Sequence, residues 1–472
     1  MRTLVRDQEQ YIRMTQTPIP QLITKLAVPT VISMLVTAVY NTADTFFVAM
    51  LDDTAATGAV GVVFSLMSLI HATSFMVGVG CGSWISRLLG RQERREAGEV
   101  GTSGLVMVWV VGMLLVLYGA LFDTAPLLRM LGSTETILPH AKAYAEYILY
   151  GAPMMMSGFV LNNILRAEGH ATYSMLGIAF GGILNMFLDP FFILPWGLGM
   201  GVGGAALATA ISQTISMFIL LLPFFRGKTE VKLAVGSISK KAVCYARIVR
   251  YGLPSLTRQG LASVASIVLN LAAAAAAGAL ADQAIAAMSL VSKVFMMVFS
   301  IMIGIGQGFQ PVMGYNYGAR RFDRAREAFW FLAKSCTVIM TVCGVLGFFF
   351  AENLIGVFGS AQSDPDVLRI GTYALRAQCL VMPLLPLSVT CNMTMQSTGQ
   401  AAQATFLAAC RQGICLLPVL LILPHFIGLA GVQIAQAVAD VISFAICVPF
   451  TAWIIRDFRA KEAAVLAEKS EP

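Results

Sequence analysis

The sequence predicts an all-α polytopic membrane protein, in which twelve transmembrane helices form two six-helix parallel repeats. Three observations lead to this fold class: an apolar composition, a succession of long uncharged runs, and groups of residues that recur in the same order in both halves of the chain. We place the first six-helix lobe, with the start of a central loop, at residues 1–235. The second lobe and a short tail occupy 236–472.

The composition places most of the chain in lipid. Hydrophobic residues make up 57% of the 472 residues and charged residues only 12%, about half of the ~25% typical of soluble proteins. Soluble, secreted and nucleic-acid-binding proteins are therefore excluded, and the lipid bilayer is the expected partner. The nine cysteines show no metal-binding spacing. The first twenty residues have no apolar core of the kind found in a cleavable signal peptide.

The uncharged runs are long enough to cross a bilayer, since about 20 apolar residues span ~30 Å of hydrocarbon. The first predicted span follows Lys25 and continues through Asp44 to Leu51. The other eleven are predicted at 54–86, 100–122, 143–165, 171–194, 202–225, 252–280, 284–314, 332–358, 368–397, 402–424 and 429–455. A polar central loop, 226–250, divides them into two sets of six.

The basic residues between the spans fix the predicted orientation. An even number of spans puts both termini on one side, and the loops of that side carry 25 of the Lys and Arg residues. The opposite side carries three, Arg129, Lys142 and Arg369. Because cytoplasmic loops are enriched in Lys and Arg, we expect both termini in the cytoplasm. The basic loops themselves are interpreted as topogenic segments near anionic lipid.

The two halves of the chain repeat the same residues in the same order. Pro29 has a counterpart at Pro254, 225 residues later. Three further groups recur at offsets of 226, 230 and 227: Gly78, Gly80 and Gly82 with Gly304, Gly306 and Gly308; Pro153, Asn162 and Gly169 with Pro383, Asn392 and Gly399; and Gly201, Gly204 and Ala208 with Gly428, Gly431 and Ala435. Since six is even, both halves enter the membrane from the same side. They are parallel repeats about an axis along the membrane normal, an arrangement typical of transporters.

Several stretches resemble one known family. They are VYNTADTFFVAML at 39–51, NNILRAEGHATYSM at 162–175, GILNMFLDPFFIL at 182–194, GVGGAALATAIS at 201–212, and the long run that begins SKVFMMVF and ends GYNYGARRFDRA at 292–325. They resemble the multidrug and toxic compound extrusion (MATE) transporters, and most strongly the bacterial DinF-like and MepA-like branch. The resemblance implies a multi-pass protein of the bacterial plasma membrane. It also implies an antiporter that exports organic, cationic amphipathic compounds in exchange for H+ or Na+. We expect a monomer that needs no cofactor.

Two carboxylates lie inside predicted spans, where each costs roughly 2.5–3.5 kcal/mol and therefore requires a partner or a function. Asn41 lies one turn before Asp44, and Asn185 lies one turn before Asp189, so each acid shares a helix face with an amide. No Lys or Arg in the spans of the first half is near enough to neutralise them. The pair is a predicted proton site and, with amide oxygens and Thr209, a predicted Na+ site. The alternatives are an interfacial position for Asp44 and a helix-end cap for Asp189.

The resemblance assigns the coupling cation to the first half. It carries that role to Asp44, Asn185 and Asp189, and it extends to Thr209 and to Asn162 or Asn163. In the second half, the position of Asp44 falls near Leu269 and Asn270. The places where another MATE branch has acids correspond to Ala262 and Leu387. This departure argues against a coupling cation in the second half and leaves the choice between H+ and Na+ open.

The remaining polar residues of the spans form a second group of predictions. Lys293 is expected to face a cavity, and Arg258 and Arg411 are expected to extend towards the cytoplasmic surface. Asp440 is expected to pair with Gln433 and Gln436. Predicted cavity residues are Tyr40, Met288, Lys293, Gln307 and Gln310, and Pro29 is the predicted hinge.

Two other functions compete with antiport. A flippase for lipids or lipid-linked oligosaccharides would carry several arginines in its cleft, whereas the spans here offer Lys293 and Arg258. A membrane-embedded enzyme would need a convergent catalytic set, whereas the four histidines are far apart in the sequence.

Overall fold

The computed structural model describes residues 2–51, 54–358 and 364–470, and these residues are almost entirely helical. The first eight helices are α1 Arg2–Gln16, α2 Ile19–Ala49, α3 Thr54–Gly90, α4 Arg94–Leu121, α5 Ala125–Met130, α6 Leu138–Ala167, α7 Ala171–Ile193 and α8 Val202–Phe225. The other nine are α9 Ala242–Ala277, α10 Ala281–Gly318, α11 Phe322–Phe349, α12 Ala351–Phe358, α13 Pro365–Val381, α14 Leu385–Thr398, α15 Ala401–Ala409, α16 Leu416–Ile427 and α17 Leu429–Ser470.

The described helices form long apolar stretches that can span a membrane, which confirms the predicted fold class, and one stretch is long enough for two spans. In the described residues, eleven continuous apolar stretches are found. The stretch Ala242–Gly318 is 77 residues long and holds both α9 and α10, which are separated by a short 3-10 turn. Two other spans consist of two helical pieces each, α13 with α14 and α15 with α16.

The ninth predicted span, 332–358, needs correction at both ends. Its main helix, α11, begins at Phe322 and ends at Phe349, and the last residues form the separate helix α12. The early start has a physical reason: the charged first turns continue the helical hydrogen bonding beyond the apolar run. The last helix likewise continues to Ser470, with its polar end held by ion pairs such as Arg326–Glu462, 2.8 Å.

The chain divides into two compact units. The first unit contains residues up to Tyr11 and Val28–Gly252, and the second contains Ile12–Ala27 and the residues from Leu253 onwards. Two continuous helices, α2 and α9, therefore change unit within two residues of their internal prolines, Pro29 and Pro254. The sequence division at 235/236 stays a prediction, because the units are defined by packing and not by repetition.

The duplicated glycines have a packing role in both units. In the first unit, a Cβ at Gly252 on α9 or at Gly80 on α3 would collide with backbone atoms of the other helix. In the second unit, a Cβ at Gly308 on α10 would lie 2.6 Å from the Cα and N of Ala27 on α2. The repeated glycines of α3 and α10 thus let these helices contact the first part of α9 and of α2, respectively, backbone to backbone.

Part of the basic loops is buried, beyond the topogenic role expected from sequence. In the second unit, Arg324 donates from Nε to Oδ1 of Asn316 at 3.0 Å and from Nη2 to the carbonyl of Thr17. Asn316 also donates to the carbonyl of Met14 at 3.2 Å. These bonds hold the N-terminal segment against the second unit.

The central loop is fixed to the first unit. Glu168, buried at the end of α6, accepts hydrogen bonds from the backbone N–H groups of Glu230 and Val231, both at 3.0 Å. Further along the loop, Ser239 donates its backbone N–H to Oγ of Ser103 at 2.9 Å. The connection between the two halves is therefore an ordered part of the first unit and not a loose tether.

Candidate functional site

The predicted polar site of the first unit is built on one turn of α7. Asn185 and Asp189 are four residues apart, so their side chains lie on one helix face. The Asn185 amide donates to Oδ1 of Asp189 at 3.0 Å and to Oγ1 of Thr209 on α8 at 3.4 Å. Asp189 is 0% exposed and Asn185 2% exposed. The site is thus closed to bulk water on the side formed by α7 and α8.

Three buried oxygens of this region have no hydrogen-bond donor among the described residues: Oδ2 of Asp189, Oδ1 of Asn185 and Oδ1 of Asp44. An unsatisfied buried acceptor costs about 1–3 kcal/mol, and more if it is charged. All three atoms are acceptors, so a proton or a cation would satisfy them, whereas an anion would not.

Asp44 belongs to the same site although it lies on another helix. Its carboxyl group on α2 is close enough to act electrostatically on Asp189, and both acids act on the buried Tyr144 of α6. Gly182 permits this approach of α2 to α7: a Cβ there would lie 2.9 Å from side-chain carbons of both Tyr40 and Val36. The glycine therefore allows α2 to bring its carboxylate to the pair on α7.

The composition of the site limits the ion that it can bind. Within the described ranges, neither Asp44 nor Asp189 forms an ion pair with a Lys or Arg. The same ranges contain no cluster of three or more His, Cys, Asp or Glu residues suited to a metal ion. Carboxylate, amide and hydroxyl oxygens suit a proton or a hard cation, and they do not form the nitrogen and sulfur set that zinc prefers.

The structure gives the other predicted coupling residues different surroundings. Asn162 donates to the hydroxyl and carbonyl of Ser174, and this ties α6 to α7. Asn163 donates to the carbonyl of Phe159 at 2.8 Å and accepts from Arg166 at 2.6 Å. Asn41 is exposed, and the structure does not show it beside the three unsatisfied oxygens. Their contribution to cation binding stays a prediction.

The predicted cavity residues also separate into groups. Tyr40 is half-buried beside Asp44 and interacts with Gln213. Met288 and Gln307 are buried in the second unit, and Lys293 is exposed. Gln310 donates to Oε1 of Gln396 at 2.9 Å, and Gln396 in turn donates to Oγ of Ser255 at 2.9 Å. Only Tyr40 lies next to the polar site of the first unit.

Tyr144 is a residue of the site that sequence reasoning missed. Its ring is buried, and the charges of both Asp44 and Asp189 reach it. An aromatic residue in an apolar span carries no sequence signal that would separate it from ordinary core packing. Its nearness to the two acids becomes visible only when α6, α2 and α7 are assembled.

Asp440 of the second unit is paired, as expected, but its main partner was not expected. Arg411 donates from Nε to Oδ1 of Asp440 at 2.8 Å. The expectation that Arg411 extends to the cytoplasmic surface is therefore wrong. Gln436 also donates to Asp440, whereas Gln433 donates to the carbonyl of Ile370 on α13.

Comparison with known proteins identifies relatives along nearly the whole chain. The family model described as MatE matches residues 29–191 and 260–422. The multidrug export protein MepA of Staphylococcus saprophyticus is 25% identical over 442 residues, which cover 94% of this chain and 95% of the relative. MepA of Staphylococcus aureus strain MSSA476 is 25% identical over 460 residues, covering 98% and 99%.

Solved structures give the same result. A crystal structure of MATE in complex with MaL6 superimposes with a TM-score of 0.89 at 26% identity, covering 95% of this chain and 99% of that one. An outward-facing multidrug resistance MATE family transporter of the MOP superfamily gives a TM-score of 0.88, also at 26% identity, with 95% and 98% covered.

Proposed function

Because the chain belongs to the MatE family of membrane transporters, we propose that it is a secondary antiporter that exports organic, cationic amphipathic compounds in exchange for H+ or Na+. MATE transporters are not enzymes and need no cofactor, which removes the embedded enzyme from the alternatives. The proposed location is a bacterial plasma membrane, with both termini in the cytoplasm and a monomer as the working unit.

One observation carries the coupling proposal: the three unsatisfied buried oxygens of Asp44, Asn185 and Asp189. Two carboxylates whose oxygens are buried in one site without a counter-ion repel each other and are poorly solvated. Binding one H+ or one Na+ relieves both penalties at once. The site therefore favours an exchangeable cation of the first unit over a purely structural pair.

The position of Asp44 connects ion binding to a change of conformation. Asp44 and Pro29 lie on the same helix, α2, which passes from the second unit to the first between Ala27 and Val28. We propose that neutralising Asp44 and Asp189 changes how α2 packs on α7 and bends α2 near Pro29. This bending weakens the hold on the exported compound in the outward-open state.

The driving force depends on the net charge that is moved. Each net elementary charge that moves through 100 mV supplies ~2.3 kcal/mol, roughly a fifty-fold concentration ratio, whereas a one-for-one exchange of monovalent cations is electroneutral and is driven by the ion gradient, ~1.4 kcal/mol per tenfold ratio. The export of drugs is supported by the names of the MepA relatives, which are multidrug export proteins. The cytoplasmic termini are supported by the 25 to 3 distribution of Lys and Arg between the two sides.

Reconstitution tests the proposal. Purified protein in liposomes is given a pH gradient or a Na+ gradient, and the movement of ethidium is followed by fluorescence. We expect dye movement that follows one of the two gradients and is lost in Asp189→Asn. The control, Asp282→Asn, changes an exposed carboxylate in the first turn of α10 and leaves the rate unchanged. Equal rates in Asp189→Asn and the parent protein would contradict the coupling role.

The flippase remains the competing transporter. It is favoured if neither gradient moves ethidium while a fluorescent lipid crosses the same liposomes. The pairing of Arg411 with Asp440 speaks against it, because that arginine is committed within the protein.

A further inference from the structure

The offset in residue number between the two repeats can be followed from contacts that both units share. Asn162 on α6 donates to the carbonyl of Ser174, twelve residues later, and Asn392 on α14 donates to the carbonyl of Ala404, also twelve residues later. Both members of the second pair lie 230 positions after those of the first. The repeats are therefore in register at the start of α7 and of α15.

At the far end of these helices, the offset has grown by one residue. A Cβ at Gly204 would touch the backbone of Phe192, and one at Gly431, its counterpart, would touch the backbone of Leu423. Phe192 and Leu423 are 231 positions apart. The extra residue lies in the π-helical turn Cys410–Cys415 between α15 and α16, since a π turn accommodates one inserted residue.

With this register, the acid and amide of the first unit have apolar counterparts. Asn185 corresponds to Leu416 and Asp189 to Leu420, and both leucines are buried. Thr209 corresponds to Gln436 at the offset of 227 that relates α8 to α17. The second unit thus has leucine in place of two side chains of the proposed cation site and keeps a polar residue at the position of Thr209.

The polar cluster of the second unit lies nearby. Its carboxylate is fully hydrogen-bonded, although Nη2 of Arg411 has no acceptor among the described residues. Oδ1 of Asp440 accepts from Nε of Arg411 at 2.8 Å and from Gln436 at 3.1 Å, and Oδ2 accepts from Gln378 at 2.7 Å. Both oxygens of Asp440 have a donor, in contrast to Asp189, whose Oδ2 has none among the described residues. The cluster is also electrically neutral, because one guanidinium balances one carboxylate.

Aromatic rings hold Arg411 in place. Its guanidinium carbon lies 4.6 Å from the ring centre of Phe299 and 5.2 Å from that of Phe295, both on α10. The side chain is 12% exposed. Such cation–π contacts stabilise a guanidinium that has lost part of its hydration. Arg411 therefore connects the π turn to α10 and α17, and Asp440 extends the connection to α13 through Gln378.

We infer that Arg411 is a built-in cation of the second unit, which neutralises Asp440 permanently and so confines the exchangeable coupling ion to the first unit. The π turn makes this possible by shifting the helix register where Arg411 stands. The coupling part of this inference rests on the proposed antiport, whereas the ion pair and its effect on Asp440 do not.

The first test is a thermal one and needs no transport. Arg411→Met leaves Asp440 buried without a counter-charge, so Asp440 must take up a proton to stay folded. The groups that face it from the packed elements are Gln378, Gln436 and the thiol of Cys415, and none of these supplies a positive charge.

In Na+-free detergent solution, lowering the pH from 8 to 5.5 should raise the melting temperature of Arg411→Met by on the order of 5 °C relative to the parent protein. The double variant Arg411→Met/Asp440→Asn should lose this extra rise. Arg411→Gln, a milder change, should behave like Arg411→Met. An identical pH response in all of these proteins would overturn the inference.

The second test concerns the coupling ion itself. In liposomes, the ion-to-dye ratio is obtained from the ion gradient at which net ethidium movement stops. Arg411→Met/Asp440→Asn should keep the ratio of the parent protein, because the second unit contributes no exchangeable ion. A ratio lower by one ion would overturn the inference and would place a coupling ion at Asp440. Failure of the antiport proposal itself would appear differently, as an absence of gradient-driven dye movement in the parent protein.

Discussion

Gly308→Ala tests the backbone contact between α10 and the first part of α2 in the second unit. The added methyl group would lie 2.6 Å from both the Cα and the N of Ala27, whereas ordinary contacts begin at 3.4 Å. The helices α10 and α2 would have to move apart by roughly 0.8 Å along this line. Because the obstacle is backbone and not the end of a flexible side chain, no change of rotamer relieves it.

The expected magnitude follows from overpacking and helix propensity. Overpacking of this kind costs about 1–3 kcal/mol, and replacing glycine by alanine inside a helix returns ~1 kcal/mol. Gly260→Ala on α9 isolates the second effect, since a Cβ at Gly260 would meet no other part of the described chain within 4 Å, apart from its own stretch of helix. The two variants should therefore differ by about 1–3 kcal/mol, the overpacking alone.

The melting temperature in detergent measures this difference. At about 2–4 °C per kcal/mol for a unit of roughly 200 residues, Gly308→Ala should melt roughly 2–12 °C below Gly260→Ala. A melting temperature of Gly308→Ala at or above that of Gly260→Ala would show that the contact between α10 and α2 is not tight.

Two further predictions concern the first unit. Glu168→Gln removes the negative charge that accepts two backbone N–H groups of the central loop. Trypsin should therefore cut at Lys232 about tenfold faster, one decade per ~1.4 kcal/mol of lost stabilisation. Glu135→Gln, at an exposed glutamate, is the control, and an unchanged cutting rate in Glu168→Gln would show that Glu168 does not hold the loop. Gly182→Ala pushes Tyr40 away from α7, so the rate of gradient-driven dye movement should fall severalfold. Gly61→Ala, whose added methyl group meets open space, should leave this rate unchanged. Equal rates in the two variants would rule out the close approach of α2 to α7.

The sequence located the membrane spans well because lipid imposes a simple requirement on composition. The predicted spans 171–194 and 202–225 coincide with α7 and α8 to within one residue. The helices α4 and α11 begin earlier than predicted, at Arg94 and Phe322. Hydropathy detects the apolar part of a helix, whereas the helix itself ends where its backbone hydrogen bonds end.

The polar site was predictable where its residues share one helix. The pair Asn185 and Asp189 follows from a spacing of four residues inside an uncharged run. The contact between that pair and Asp44 depends on how α2 packs on α7, and the sequence carries no direct signal of it. Asn162 and Asn163 look equally suited to a cation in the sequence, and only the structure shows their hydrogen bonds to Ser174 and Phe159.

The ion pair of Arg411 could not be predicted from the sequence, for a different reason. A cation in an apolar run near its cytoplasmic end is normally expected to extend towards the lipid head groups. The π turn at Cys410–Cys415 shifts the register by one residue, and this shift has no distinctive sequence signature. The repeat showed that the acids of the first half are absent from the second, but it did not show that a neutral ion pair stands nearby.

Ion release from the purified protein shows directly whether Asp44 and Asp189 bind the exchanged cation. Tetraphenylphosphonium is added in weakly buffered detergent solution, and released H+ is followed with a pH indicator and released Na+ with an ion-selective electrode. We expect the parent protein and Asp282→Asn to release one of the two ions in proportion to bound tetraphenylphosphonium, and Asp189→Asn and Asp44→Asn to release none. Undiminished release from Asp189→Asn would contradict this expectation, because the ion would then be bound elsewhere.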